Sequence, residues 1–80
     1  MLILKDVLTD MAKAIVNDPD SVSVTETEGE NGDILLTLSV APDDMGKVIG
    51  RQGRIAKEIR TVIRSYAQRT GEKVSVDIVD

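Results

Sequence analysis

Between Met45 and Tyr66 the chain sets two glycines three residues apart, with an apolar pair before them and helical apolar spacing after them. Few folds accommodate that arrangement. Met45, Val48 and Ile49 form the buried side of a short helix, and Ile55, Ile59, Val62, Ile63 and Tyr66 recur at the spacing of a longer one. Only Gly50-Arg51-Gln52-Gly53 remains to connect them. Glycine at both ends lets this backbone bend sharply and approach a ligand with no Cβ in the way. The second helix opens directly out of the turn, so its unpaired N–H groups and the positive end of its dipole lie beside it. Lys47, Arg51, Arg54 and Lys57 add cations around the turn, and Gln52 adds an amide able to bond phosphate or sugar. Arg60 and Arg64 continue the positive strip along the helix. A tight cationic turn feeding a helix N-terminus suits a phosphate backbone.

The remaining patterns supply what packs against these two helices. Leu4, Val7, Leu8, Met11 and Ile15 mark one face of an opening helix, with Ala12 and Ala14 adding propensity, and Asp18-Pro19 stops it. Val22 and Val24, then Ile34, Leu36, Leu38 and Val40, alternate with polar residues. Asn31-Gly32 between the two runs predicts an antiparallel hairpin. After Ala41-Pro42, Asp43 is expected to cap the short helix and Asp44 to favour the positive end of its dipole. Gly71 is expected to close the long helix in a left-handed C-cap, and Val74, Val76 and Ile78 alternate again in a last strand. The order is α-β-β-α-α-β. It predicts an α+β fold, a three-stranded sheet with helices packed on one face, formed by one domain over residues 1–80.

Charge is distributed unevenly. The net charge is -4, which taken alone argues against nucleic acid as a partner. Residues 1–44, however, carry two basic and ten acidic side chains, whereas residues 45–70 carry seven basic ones and a single acid, Glu58. A ligand responds to the local field, because screening acts over roughly 8 Å at physiological salt. The acidic first half reads either as solubilising charge or as a device that confines a polyanionic ligand to the basic strip. There is no cysteine and no histidine, which removes disulfides, thiolate or imidazole metal sites and the commonest general base. Asp43 and Asp44 form a neighbouring carboxylate pair, but a helix cap explains them better than acid–base chemistry. The expectation is no catalytic residue, no metal, no cofactor and no enzyme. No apolar run reaches the roughly 18–20 residues of a membrane span, and Met1 to Asp6 lacks the basic region of a secretory signal, which gives a cytoplasmic location.

The string Val48-Ile49-Gly50-Arg51-Gln52-Gly53-Arg54-Ile55 resembles the V-I-G-x-x-G-x-x-I signature of KH domains, whose G-x-x-G loop holds about four nucleotides of single-stranded RNA or DNA. The element order looks like the type II, bacterial arrangement. Asn17-Asp18-Pro19-Asp20-Ser21-Val22, the run from Val40 to Lys57, and the ending Val76-Asp77-Ile78-Val79-Asp80 are similar to the KhpA family of small stand-alone bacterial KH proteins. That resemblance covers nearly the whole chain. It implies single-stranded RNA binding and RNA chaperone activity, pairing with a larger multidomain KH protein of the Jag/KhpB type or with a second copy, and Gly50, Arg51, Gln52 and Gly53 as the clamp. Lys47, Arg54 and Lys57 are the flanking field, and Val48 or Ile49, though mainly core, lines the groove under the bases. No P-loop string is present, Gly46, Gly50 and Gly53 do not make the dinucleotide spacing, and Gly46-x-x-x-Gly50 lies in too polar a context for a membrane-helix dimer.

Blander readings stand beside these. The two glycines fit a plain helix corner, and Arg60 and Arg64 fit a solvated helix face. Tyr66 is the only aromatic residue and its helical position turns it inward, so base stacking on aromatics has no support. A mostly electrostatic site of this size binds with a Kd on the order of 10⁻⁴–10⁻⁶ M, which favours action as a dimer or with a partner. The alternative is a protein-interaction module in which exposed apolar residues, Met1, Leu2, Ile3 or Leu35, matter more than the turn.

Overall fold

The computed structural model describes residues 3–80; Met1 and Leu2, two of the apolar residues considered for contacts, lie outside the described residues. Helix α1 spans Leu4–Ile15 and buries Leu8 and Ala12 completely, with Leu4, Val7, Met11 and Ile15 half-buried around them. It ends at Val16, which is extended, so the chain leaves the helix before Asp18-Pro19 and Pro19 instead opens a 3-10 turn over Pro19–Ser21. The Ser21 hydroxyl donates to Asp18 Oδ2 at 2.6 Å across that turn.

Strands β1 (Ser23–Glu28) and β2 (Ile34–Ser39) pair antiparallel, with Val24 opposite Leu38 and Glu26 opposite Leu36. Their connection is longer than a two-residue tip. The Gly29 N–H donates to the Asp33 carbonyl at 2.7 Å and the Gly32 N–H to the Gly29 carbonyl at 3.1 Å. Asn31-Gly32 thus supplies the end of a four-residue turn, and Gly32 takes the positive φ of 80° that favours glycine there.

After β2, a 3-10 turn at Pro42–Asp44 leads into α2 (Met45–Ile49), the turn at Arg51–Gly53 and α3 (Arg54–Thr70). Strand β3 (Val74–Val79) then lies parallel to β2, and the sheet order is β1-β2-β3. The expected α-β-β-α-α-β order and α+β class are what the chain adopts. The central position of β2 explains why Leu36 and Leu38 are both completely buried, while β1 at the edge buries only Val24. The opposite face of the sheet presents the polar row Thr25, Thr37 and Asp77, in register across the three strands.

The helices meet the sheet through small residues as much as large ones. Ala12, Ala56 and Ala67 are all buried, alongside Ile59 and Ile63. The buried stripe of α3 is therefore Ala56, Ile59, Ile63 and Ala67, and Ile55, Val62 and Tyr66 sit half-buried at its margins. Helices α1 and α3 pack against each other, and the burial of these alanines is something that propensity alone does not reveal. The end of α3 is as expected: Gly71 is left-handed at φ 75°, its N–H donates to the Gln68 carbonyl at 3.3 Å, and the Glu72 N–H donates to the Ala67 carbonyl at 3.0 Å. That bond pair is the Schellman motif.

The two aspartates before α2 do not cap it. Asp43 is exposed, and no side-chain capping bond is found at either the 3-10 turn or α2. Asp44 is buried, 2 % exposed, and its carboxylate accepts the backbone N–H of Asn17 at 3.1 Å and of Asp18 at 3.0 Å. A remote pair of donors outcompetes the local helix end, because burial makes an unpaired carboxylate very costly. Of the other apolar residues considered for contacts, Ile3 is 54 % exposed and Leu35 is half-buried on the outer sheet face.

Candidate functional site

Helix α2 is only five residues long and stops at Gly50, whose N–H still donates to the Gly46 carbonyl at 3.0 Å. Gly50 has φ 73° and ψ 176°, a conformation closed to side-chain-bearing residues. A Cβ built there would lie 2.6 Å from Cγ1 of Ile55, so the backbone is pressed against the first turn of α3. The turn then stays at positive φ: Gln52 has φ 57° and ψ 25°, and Gly53 has φ 74° and ψ 16°. The Gly53 N–H closes on the Gly50 carbonyl at 3.2 Å, and the Arg54 N–H donates to the Arg51 carbonyl. Gln52 is the one non-glycine residue at positive φ among the described residues, at a conformational cost of about 1 kcal/mol. The two glycines do different work. Gly50 is required by space and conformation together, whereas nothing lies within 4 Å of a Cβ at Gly53.

The polar residues picked out from the sequence come together at the surface. Arg51, Gln52 and Arg54 line one shallow depression. Lys47 on α2 and Lys57 on α3 are exposed, three residues before and four residues after the turn. The Arg54 N–H is already bonded within the turn, but no side chain caps the start of α3, and the positive end of its dipole begins at Arg54, which lines the depression. Val48 requires a correction. It is completely buried, so it supports the turn from beneath and has no surface to offer a ligand. Ile49 is half-buried and is the apolar residue left at the site.

Farther along α3, Arg60 is half-buried and its Nε donates to the Val76 carbonyl at 3.0 Å. Arg60 and Arg64 line a second cleft with Val74, Ser75 and Val76. Arg60 is therefore not a purely solvated helix face, whereas Arg64 is exposed and lines the same cleft beside β3, the edge strand of the sheet. The sequence contains β3 but not its place in the sheet, so this neighbourhood has no local signal. Tyr66 is half-buried with the Arg69 guanidinium carbon 5.7 Å from its ring centroid, and it lines a largely apolar groove with Ile3, Leu4, Ile34 and Leu36 that also takes in Glu26, Thr70 and Glu72. Among the described residues, no group of acidic, histidine or cysteine side chains could hold a metal ion, and no helix is long and apolar enough to cross a membrane.

Comparison with known proteins agrees with this picture. A sequence model described as the KH domain of KhpA/KhpB matches residues 5–78. The RNA-binding protein KhpA of Clostridium acetobutylicum is 53% identical over 76 residues, covering 95% of this chain and 100% of that protein. The RNA-binding protein KhpA of Aquifex aeolicus is 41% identical over 80 residues, covering 100% of both. Those names describe binding and not a reaction. Among solved structures, a variant of Aquifex aeolicus Era bound to GDP and aluminium fluoride superimposes with a TM-score of 0.62 at 19% identity, over 95% of this chain and 29% of Era. Era in complex with a nucleotide and a segment of 16S ribosomal RNA gives a TM-score of 0.61 at 18% identity, with the same coverage. The Era likeness concerns the fold.

Proposed function

Because the chain belongs to the KhpA/KhpB family of KH domains, we propose that it binds single-stranded RNA and holds the sugar–phosphate backbone on the Gly50-Arg51-Gln52-Gly53 turn. The observation that carries this reading is the turn itself. Gly50 presses against Ile55, and the exposed Arg51 and Gln52 project beside an uncapped helix N-terminus. In this mechanism Arg51 pairs with a phosphate, the Gln52 amide bonds a phosphate or sugar oxygen, and Lys47, Arg54 and Lys57 neutralise neighbouring charge. A helix terminus contributes only about 0.3–1 kcal/mol per charge, so the side chains supply most of the attraction. Bases rest against the half-buried Ile49, and the strand continues past Arg60 and Arg64. No proton transfer or bond cleavage is required, and no cofactor enters. Single-stranded DNA shares the backbone chemistry and binds by the same contacts.

A single turn of this kind is a weak clamp. We therefore infer that the protein acts in the cytoplasm as an RNA chaperone, in a homodimer or beside a larger multidomain KH protein of the Jag/KhpB type. Linked sites raise effective affinity without new contacts. The alternative reading, a dimerisation module with incidental RNA binding, draws support from the 54 % exposed Ile3 and the apolar groove it shares with Tyr66. A tight dimer by sedimentation with no RNA complex at low salt is the result that favours it.

The test of the clamp is Arg51→Asp with Gln52→Asp, which sets like charge against phosphate and keeps both glycines. The folded double variant is expected to lose at least tenfold in affinity for a single-stranded RNA 12-mer. Wild-type affinity in that variant defeats the assignment.

A further inference from the structure

We propose that Asp44 is a positioning residue for the 50–53 turn: its buried carboxylate clasps the segment after α1 and thereby sets the direction in which α2 delivers the turn. This deepens the RNA-clamp reading and rests on it. Asp44 is the single charged or polar residue among those buried in the described chain. Each carboxylate oxygen takes one backbone donor, Oδ1 from Asn17 and Oδ2 from Asp18. The donors lie 27 and 26 residues away in sequence, and both belong to the exposed bend between α1 and the Pro19–Ser21 turn. That bend is itself braced, because the Asp18 carboxylate accepts the Ser21 hydroxyl. The Asp44 N–H also donates to the Ala41 carbonyl at 2.8 Å, fixing the 3-10 turn that leads into α2.

A five-residue helix does not set its own orientation. Helix α2 is held at one end by Asp44, in the middle by the buried Val48, and at the far end by the Gly50–Ile55 contact. Asp44 is six residues before Gly50, an arm of about 9 Å at about 1.5 Å per helical residue. A tilt of about 10° at the clasp therefore moves the turn by about 1.6 Å, well past the roughly 0.5 Å tolerance of a binding constellation. The carboxylate chemistry is specific. Asparagine has nearly the same shape but one acceptor oxygen, so its NH₂ would face one of the two backbone donors.

The experiment compares wild type, Asp44→Asn and Val24→Ala. Val24 is a buried residue on β1, remote in the sheet from β3 and absent from the turn, so its truncation reports on general loss of packing. All three are confirmed as folded by circular dichroism at the working temperature. The Gly50 and Gly53 amide NMR signals are recorded without RNA, and binding of a 12-mer of oligouridylate is measured across a salt series. Asp44→Asn is expected to shift or broaden the Gly50 and Gly53 signals, weaken binding at least fivefold and flatten the salt slope by about 0.7 for each phosphate that is no longer neutralised. Val24→Ala is expected to leave the turn signals and the slope as in wild type. Unchanged turn signals in Asp44→Asn, or equal losses in both variants, overturn the proposal. Wild type failing to bind defeats the RNA reading alone, since the turn signals still report on Asp44. Should Asp44→Asn fail to fold, hydrogen exchange on wild type decides. Coupling of clasp and turn predicts that RNA slows exchange at the Asn17 and Asp18 amides as well as at Gly50 and Gly53, and no change at Asn17 and Asp18 overturns it.

Discussion

Replacing each glycine of the turn by alanine should expose how differently the two are used. At Gly50, φ 73° with ψ 176° is a region essentially restricted to glycine, and forcing another residue into it costs about 1–3 kcal/mol. The added Cβ would also lie 2.6 Å from Ile55 Cγ1 and 3.0 Å from its Cβ and Cδ1. Ile55 is half-buried against the core, so relief means pushing a branched side chain into packed neighbours, at about another 1–3 kcal/mol. Gly50→Ala should therefore destabilise the fold by about 2–6 kcal/mol. At Gly53 the conformation is left-handed helical, φ 74° and ψ 16°, and the space is empty; alanine there should cost about 1–2 kcal/mol. For a chain of this length each kcal/mol moves Tm by about 4–8 °C, so the two variants should separate clearly in thermal melts. Urea titration followed by circular dichroism gives the free energies directly if the transition is two-state. A Gly53→Ala loss equal to or larger than that of Gly50→Ala would refute the reasoning, because it would mean that Ile55 does not set the closeness of the turn.

Two further substitutions probe the elements around the site. Ala12→Leu adds volume at a completely buried position of α1 in the core and should destabilise by about 1–3 kcal/mol; a neutral urea midpoint would show unfilled space there. Arg60→Ala removes the bond to the Val76 carbonyl, and should cost about 1 kcal/mol in stability while weakening RNA binding less than the Arg51→Asp, Gln52→Asp pair, as read by melts and by titration of the same oligonucleotide.

Periodicity carried most of the fold. The stripes Leu4 to Ile15 and Ile55 to Tyr66, the alternation from Ile34 to Leu38, and Gly71 as a C-cap are all local signals, and each became the element it indicated. What escaped was non-local. Nothing near Val76 says that its strand lies parallel to β2 at the edge of the sheet, so the Arg60 contact could not be read. Ala12, Ala56 and Ala67 look like helix formers, and only the packed fold shows that all three are buried. Asp44 sits where a dipole-stabilising residue is expected, yet its partners are two N–H groups more than twenty residues away. At the site, Gly50 and Gly53 were legible as a turn because spacing encodes it. An apolar pair before a turn does not reveal which member, Val48 or Ile49, lines the groove, and the fold buries Val48 and leaves Ile49 half-exposed.

The central claim is a backbone clamp on the 50–53 turn, and the salt dependence of RNA binding tests it most directly. Contact with about 3–4 phosphates of a single strand predicts a plot of log K against log salt concentration with a slope near roughly -2 to -3. The same titration on the Arg51→Asp, Gln52→Asp variant should give a shallower line at every salt concentration where binding is measurable. A flat wild-type response, or identical slopes in the two proteins, would contradict the account.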